Sequence, residues 1–402
     1  MHEHTHSLSS LPVSSAPPAP LNTARLDVAL VHDWLPVYAG AERVLEQMIH
    51  VFPQADIFSL IDFLPDRQRG FLQGKSVNTS LIQNLPFAAS RYRYYLPLAP
   101  YAVEQFDLRG YDLVISSSYV VAKGVLTTAN QLHVSYIHSP IRYAWDLYFQ
   151  YLYEAGLRRG LKNFLVRLIL HYLRMYDVST ANRVDVFLAN SKYVARRIWK
   201  TYRRKAKVIY PPVDTSRFEL TPDKDDYYLT TSRLVPYKKI DLIIEAFLDM
   251  PDKQLLIIGD GPDRARLEAM LPKHSNISLL GYQPPEALQH YMEHAKAFVF
   301  AAEEDFGIAP VEAQACGTPV IALGKGGTAE TVIHGETGIL FPEQSKEALQ
   351  HAIELFEKGT FTFEPERLRI QAERFSAERF QLEFALAIEE AWTTFCSSEL
   401  NI

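Results

Sequence analysis

The stretch AFVFAAEEDFGIAPVEAQACGTPVIAL, residues 297–323, contains two short apolar runs separated by a turn and a helical pattern. The runs AFVFAA and PVIAL are typical of buried strands, and a helix between them is the connection that parallel strands need. Pro310 suits the first turn of this helix and Gly317 the position after its end, which predicts a helix from about Ala309 to Ala315. The stretch therefore predicts an α/β fold with a parallel sheet.

Carboxylates lie on both sides of the turn in this stretch. Glu304 precedes the predicted helix and Glu312 lies near its middle. Such carboxylates could be an acid and a base, metal ligands, or acceptors for hydroxyl groups. Gly307 lets a ligand approach the backbone closely, and a helix N-terminus is a natural anion site. We expect the two carboxylates to hold two ends of an elongated ligand, with an anion between them.

The same alternation of apolar runs and helical patterns recurs along the chain. The runs include LDVALVHDW, YDLVISSS, LHVSYIHS, VDVFLANS, YYLTTSRL, QLLIIGDG and NISLLG. KVIYPPVDTSRF, with two prolines and no apolar period, interrupts the series as a candidate linker. We therefore predict two doubly wound, Rossmann-like α/β domains facing across a cleft, one at 26–208 and one at 209–375, with a further helix at 376–402.

Composition limits the function classes. The chain has 402 residues, 48% of them hydrophobic and 22% charged, as in a soluble globular protein, and its net charge of −6 argues against nucleic-acid binding. The two cysteines, Cys316 and Cys396, fit a reducing compartment. Residues 1–25 are rich in Ser, Pro and His, which predicts a disordered tail without a secretory signal. No apolar run is long enough to span a bilayer. We expect a cytoplasmic protein.

Polar residues follow the predicted strands. They include His32, Asp33, Gly40, Ser116 to Ser118, His138, Arg233, Gly259, Asp260 and Gly261. Any one of them is explained by the general polarity of loops. Because the carboxyl ends of parallel strands meet at one edge of a sheet, the whole set predicts a site in the cleft between the two sheets.

Two cations in TTSRLVPYKK complement the carboxylates. Arg233 follows a strand, and Lys238 lies five positions later, before a helix, where a cation opposes the helix dipole and needs another reason to be present. A diphosphate needs cationic neutralisation if no metal is bound. No Asp-x-Asp motif occurs at a strand end, so we predict a site without a metal and a protein without a cofactor.

These segments resemble glycosyltransferase family 4, also called group 1, the retaining enzymes of the GT-B fold. The similarity covers SRLVPYKK, IIGDGPDRARLE, the stretch from Glu304 to Phe341, HDWLPVYAGAERVL and YIHSPIRYAWD, and thus most of 26–392. The family's E-x7-E element matches at Glu304 and Glu312, and its R-L-x-x-x-K element at Arg233 and Lys238. One departure is Ala39, where the family commonly has glycine.

The resemblance implies a role for each matched residue. Arg233 and Lys238 would bind the donor diphosphate above Gly40, and Glu312 would accept hydrogen bonds from the ribose. Glu304 and His138 would contact the transferred sugar. The resemblance further assigns donor contacts to Gly261, to Gly281 and Tyr282 around the base, and to the backbone of Phe306, Gly307 and Ile308.

Other protein classes fit less well. A dehydrogenase would need G-x-G-x-x-G, and GDGPDR has Arg264 in place of the last glycine. A sugar-nucleotide epimerase shares the architecture, and a non-catalytic binding module could keep it. A glycosidase built on Glu303 to Asp305 is disfavoured because consecutive carboxylates rarely flank one bond. Cys316 fits a small buried thiol better than a nucleophile.

The donor and acceptor are suggested by two further segments. YIHSPIRYAWDLY and residues 173–214 resemble bacterial mannosyltransferases of surface-polysaccharide assembly, which implies GDP-mannose, with a UDP-sugar as the alternative. Between Arg158 and Lys207 the chain has 14 Lys or Arg and two acidic residues. Leu157, Leu161, Phe164, Leu165, Leu168 and Tyr172 recur there at helical spacing. This predicts either a core-packed helix with a solvated basic face, or a surface that docks on anionic lipid near a saccharide or lipid-linked acceptor.

The chain's last segment predicts a helix. FSAERFQLEFALAIEEAW places Phe380, Phe384, Ala387 and Ala391 at helical spacing. The resemblance implies that this helix crosses back onto the N-terminal domain.

Overall fold

The computed structural model describes residues 25–157 and 159–399, which form two parallel sheets. All but the last residue of the tail predicted at 1–25 therefore lies outside the described residues, as does Arg158. In the described ranges, no helix is both long enough and apolar enough to cross a membrane.

The first sheet has the strand order β3-β2-β1-β4-β5-β6-β7, with all pairs parallel. Its strands are β1 (Val28–His32), β2 (Asp56–Ser59), β3 (Val77–Thr79), β4 (Leu113–Ser118), β5 (Leu132–Ile137), β6 (Val186–Ala189) and β7 (Ala206–Val208). Its helices are α1 (Gly40–Val51), α2 (Ala88–Arg91), α3 (Ala99–Val103), α4 (Tyr148–Glu154), α5 (Leu161–Ser179) and α6 (Lys192–Tyr202).

The second sheet has the order β10-β9-β8-β11-β12-β13 and is also parallel throughout. Its strands are β8 (Tyr227–Thr231), β9 (Gln254–Ile258), β10 (Ile277–Gly281), β11 (Ala297–Phe300), β12 (Val320–Leu323) and β13 (Gly338–Phe341). The helices that follow are α7 (Ile240–Leu248), α8 (Arg264–Glu268), α9 (Pro285–His294), α10 (Ile308–Ala315), α11 (Thr328–Thr331), α12 (Lys346–Glu357), α13 (Pro365–Glu373) and α14 (Ala377–Glu399). Short 3-10 helices lie at Asp66–Gln68, Gly70–Leu72, Leu81–Asn84, Tyr92–Leu98, Ala122–Gly124, Thr180–Arg183 and Pro236–Lys238.

Both strand orders are those of a doubly wound sheet, in which the order reverses beside the first strand. The predicted fold class of two Rossmann-like domains is thus confirmed. Each sheet is buried on both faces: in β1, Val28 and Leu30 pack on the side of α1, whereas Ala29 and Val31 pack on the other. This explains why the strands read as continuous apolar runs.

Helix α14 packs against the first sheet, although the chain reaches it from the second. Phe380, Phe384, Ala387 and Ala391 are buried beside α1 and β5, in the same core as Leu45. Arg379 donates to the Tyr210 carbonyl of the connecting segment. The last helix therefore adds apolar side chains to a core that the chain left more than 150 residues earlier.

The apolar face of α5 is not in the core. Leu161, Phe164, Leu165, Leu168 and Tyr172 are all exposed. The buried face carries Leu170, Leu173 and Tyr176. Apart from Leu157, which is half-buried against the core, the predicted stripe faces solvent. The expectation that this stripe packs in the core is therefore wrong for its other residues, and the helix contacts the core through a different face.

The sequence did not predict β2, β3, β7 or β13. All four are only three or four residues long, and β3 and β7 are edge strands with an exposed middle residue. Such strands lack a long apolar run. Strand β7 also corrects the proposed linker, since Lys207 and Val208 belong to the first sheet and the connection begins after them.

Candidate active site

A cleft of about 920 Å³ lies between the two sheets, at the carboxyl ends of their strands. From the first sheet it receives the start of α1 and the loops after β4, β5 and β6. From the second it receives the loops after β8, β9, β10 and β11. The strand order reverses beside β1 and β8, so the cleft occupies the switch point of both domains, where ligands of doubly wound folds bind.

Ten of the twelve residues assigned to the site line this cleft: Gly40, His138, Arg233, Lys238, Tyr282, Glu304, Phe306, Gly307, Ile308 and Glu312. Gly261 and Gly281 are not among its lining residues. A Cβ on Gly261 would lie 2.2 Å from the Leu234 carbonyl oxygen, and Gly281 has a φ of +69°. These two glycines are needed for the packing and turn of their loops. The roles given to all twelve residues remain predictions.

The turn before α10 brings backbone to the cleft. Gly307 precedes the helix with a φ of +85°, a conformation that favours glycine, and Ile308 and Ala309 begin the helix at the cleft wall. The predicted helix at 309–315 differs from the observed one by a single residue. Ala39, the departure from the family pattern, has an extended φ of −142°, which any residue adopts.

Each carboxylate of the E-x7-E element already binds a cation. Glu304 pairs with Lys238. Glu312 accepts from Nη1 of Arg43, which α1 contributes from the other domain, at 2.8 Å. Although burial opposes the charge of Arg43, Glu312 raises the pKa of this guanidinium. Arg233 is exposed at the cleft and forms no ion pair with the described residues.

A second set of charges joins the domains beside Glu304. Asp305 accepts from Arg197 of α6 at 2.7 Å and lies 3.5 Å from Arg142 of the loop after β5. Arg142 also donates to the Glu303 carbonyl oxygen at 3.3 Å. Burial raises the pKa of the Asp305 carboxyl against the opposing effect of both guanidinium groups. The sequence reading missed this cluster.

Some cleft side chains retain buried polar atoms without a partner in the described residues. They are Nε of Arg142 and the hydroxyl of Tyr143. Buried polar groups are normally hydrogen-bonded, so these two atoms are exceptions at the cleft wall. Both residues lie in YIHSPIRYAWD, the segment in which the sequence predicts His138 as a site residue.

His138 lies at the N-terminal-domain wall, between the rings of Tyr119 and Tyr136. Burial and the neighbouring His32 lower the pKa of His138 to about 3, so its imidazole is neutral at physiological pH. It can therefore exchange hydrogen bonds with a hydroxyl through an uncharged ring.

Asp33, at a strand end, and Cys316, at a helix end, have structural roles. Asp33 is fully buried and accepts four backbone N–H groups, those of residues 119–122, at 2.6–2.8 Å. Cys316 is buried at the end of α10, where its Sγ donates to the Glu312 carbonyl oxygen, and burial raises the pKa of its thiol. Both findings favour packing over chemistry at these positions.

The described residues contain no group of three or more His, Cys, Asp or Glu arranged to hold a metal ion. The independence from metal stays a prediction. What the cleft does offer is cationic side chains and a helix N-terminus on one wall and a neutral histidine on the other. This arrangement can bind a phosphorylated ligand and place its sugar between the domains.

Two family descriptions match the chain in adjacent halves. The family described as "Glycosyltransferase Family 4" matches residues 38–217, and "Glycosyl transferases group 1" matches residues 213–375. The two matches meet at the connection between the sheets.

The similar individual proteins include glycosyltransferases. A GDP-mannose-dependent alpha-(1-6)-phosphatidylinositol monomannoside mannosyltransferase from Mycolicibacterium smegmatis is 32% identical over 203 residues, 43% of this chain and 53% of that protein. A GDP-mannose-dependent monoacylated alpha-(1-6)-phosphatidylinositol monomannoside mannosyltransferase from Corynebacterium glutamicum is 33% identical over 178 residues, 37% and 47% of the two chains. The chain thus spans about half the length of the curated relatives it matches.

The fold has close counterparts among solved structures. HepE from Anabaena, in complex with UDP and glucose, superposes with a TM-score of 0.68 over 90% of this chain and 99% of that one, at 19% identity. At this identity the likeness supports the two-domain fold.

Proposed function

The chain belongs to the glycosyl transferases of group 1 and family 4, and from this we propose that it moves a hexosyl group from a nucleotide-diphosphate sugar to a saccharide or lipid-linked saccharide, with retention at the anomeric carbon. The observation that carries the proposal is the opposition, across one cleft, of Lys238, Arg233 and the α10 N-terminus to His138.

In this reaction negative charge grows on the departing diphosphate. Lys238 and Arg233 neutralise it, and the N–H groups at the start of α10 favour an anion there. A diphosphate would take Lys238 from Glu304 and leave that carboxylate free to hold the sugar hydroxyls. Glu312 would hold the ribose. The two carboxylates act as acceptors for hydroxyl groups and not as an acid–base pair.

Replacing Lys238 by alanine tests the proposed transfer. Because the charge that Lys238 meets is largest in the transition state, Lys238→Ala should lower kcat by about 100-fold or more. Glu312→Ala should instead raise KM for the donor, since ribose contacts change little during reaction. Lys239→Ala is the control, because the neighbouring lysine does not line the cleft. Normal turnover by Lys238→Ala would refute the proposal.

We propose GDP-mannose as the donor and no metal requirement. Two GDP-mannose-dependent relatives support the nucleotide, while UDP in the HepE complex keeps a UDP-sugar as the alternative. A thermal-shift panel of nucleotide sugars separates them, because a ligand at 100 times its Kd stabilises the fold by about 2.7 kcal/mol. Loss of activity in chelator and its recovery with magnesium would contradict the metal-free site.

We also propose that α5 docks on an anionic membrane and so brings the cleft to a lipid-linked acceptor. Its exposed face carries Leu161, Phe164 and Leu168, with Arg159 and Lys162 also exposed nearby. Other basic residues of the segment already pair with carboxylates of this protein. Arg183 pairs with Glu104, Arg197 with Asp305 and, at the surface, Lys207 with Glu390. The proposed docking surface is therefore the exposed face of α5 with its basic neighbours, and not the whole basic segment at 157–207.

Co-sedimentation with vesicles tests the docking. Wild-type protein should bind anionic but not neutral vesicles, and less so in high salt. Replacing Leu161, Phe164 and Leu168 by serine should abolish binding without unfolding, since all three are exposed. Serine at Leu382 and Leu386, exposed residues of α14, should have no effect. Wild-type protein that stays in solution with anionic vesicles at low salt would exclude this surface.

A further inference from the structure

A chain of buried polar groups runs from α1 to the cleft wall. Oε1 of Glu42 lies 3.4 Å from Nε2 of His32, and Nδ1 of His32 lies 3.0 Å from Oγ of Ser117. The same Oγ lies 2.8 Å from Nε2 of His138. His32, Glu42 and Ser117 are each at most 4% exposed, so water does not replace these contacts.

The direction of each hydrogen bond follows from Glu42, the first group in this series of contacts. An ionised Glu42 only accepts, and its other oxygen is taken by the Ala39 N–H at 3.0 Å. Nε2 of His32 therefore carries a proton, and when this is the ring's only proton, its Nδ1 accepts from the Ser117 hydroxyl. That hydroxyl has a single hydrogen, so toward His138 its oxygen can only accept.

From this geometry we propose that Glu42, His32 and Ser117 are positioning residues that fix His138 as the Nε2–H tautomer and leave the lone pair of its Nδ1 to accept a hydrogen bond from a hydroxyl of the transferred sugar. The tautomer is a property of the donor-free protein, and only the sugar contact rests on the proposed function. The cleft wall therefore recognises a hydroxyl donor at this point.

Ser116, the residue before Ser117, provides a matched control. Oγ of Ser116 contacts Ser135 and Nε2 of His133, at 2.7 and 2.9 Å, on the other side of the same strand. Ser116 and Ser117 are equally buried. Loss of either hydroxyl removes one oxygen atom from β4, but only the loss at Ser117 releases His138.

The test combines nitrogen NMR of the histidine rings with kinetics. At pH 8 without donor, the wild type and Ser116→Ala should show His138 as the Nε2–H tautomer, and Ser117→Ala should show a mixture. Ser117→Ala should lower kcat about tenfold or more with the affinity for the nucleoside diphosphate unchanged. Ser116→Ala should keep wild-type turnover.

Three outcomes separate the parts of this proposal. A Nδ1–H tautomer in the wild type, or an unchanged tautomer in Ser117→Ala, would overturn the proposed chain even if the protein is an active transferase. The expected tautomer shift without any change in kcat would refute the sugar contact. An inactive wild type with the expected NMR result would count against the proposed function and leave the tautomer assignment standing.

Discussion

Glu304 and Glu312 each bind a basic side chain before any donor is present. The partner of Glu304 is Lys238, which sequence spacing had placed at the same site, whereas Glu312 binds Arg43 of the other domain. The carboxylates could be predicted because they flank a recognisable turn. Arg43 could not, since its pairing joins two residues that lie 269 positions apart and in different domains.

In the proposed function Glu312 holds the ribose, and Arg43 already occupies Oε1 of this carboxylate. Arg43→Gln removes this competition and should tighten binding of the nucleoside diphosphate about three- to tenfold, equivalent to roughly 0.7–1.4 kcal/mol. Isothermal titration measures it. Arg69→Gln is the control, because Arg69 pairs with Asp62 within the first domain. Weaker binding in Arg43→Gln would mean that Arg43 contacts the donor directly.

At the scale of elements, the long apolar strands and α10 followed from the sequence. Strands β3 and β7 did not, because three-residue edge strands are held by pairing with a neighbour and carry no apolar pattern of their own. Helix α5 shows the opposite failure. Its apolar spacing is strong, yet the face it marks is exposed, since spacing identifies a face and not what covers it.

Helix α14 offers a direct test of how one element supports another. Phe384 is fully buried, stacks on Phe380 and meets Phe52 edge-on at 6.3 Å between ring centroids. Phe384→Ala should lower the free energy of unfolding by about 3–5 kcal/mol. Leu382→Ala, on the exposed side of the same helix, should change it by less than about 1 kcal/mol.

Chemical denaturation followed by circular dichroism compares the two variants. The first domain should lose stability although the substitution lies near the other end of the chain. Equal stability of Phe384→Ala and Leu382→Ala would show that the helix does not support the first core.

At the scale of the whole molecule, the sequence predicted two facing sheets but not what holds them together. The structure uses polar links on both sides of the Glu303–Asp305 loop. The Glu330 carboxylate accepts the backbone N–H groups of Lys192 and Tyr193, each at 2.8 Å, at the start of α6. The Tyr193 hydroxyl donates to Glu303 at 3.0 Å. These contacts join residues more than 100 positions apart, so no local sequence pattern predicts them.

Asp305 is the acceptor on which two guanidinium groups of the first domain converge, and we therefore expect it to contribute to domain closure. Asp305→Asn keeps the shape of the side chain but removes the carboxylate that Arg142 and Arg197 share. Because Arg197 keeps its pair with Asp146, the loss should cost about 1–3 kcal/mol of closure. The donor-free variant should have a larger radius of gyration in small-angle scattering. Its hydrogen exchange should speed up at 192–197 and 303–306, while the β1 and β8 amides keep their protection.

Asp226→Asn, which affects only an exposed pair with Lys296 in the second domain, should match the wild type in both measurements. If Asp305→Asn is as compact and as protected as that control, the closure depends on the Glu330 and Glu312 contacts instead.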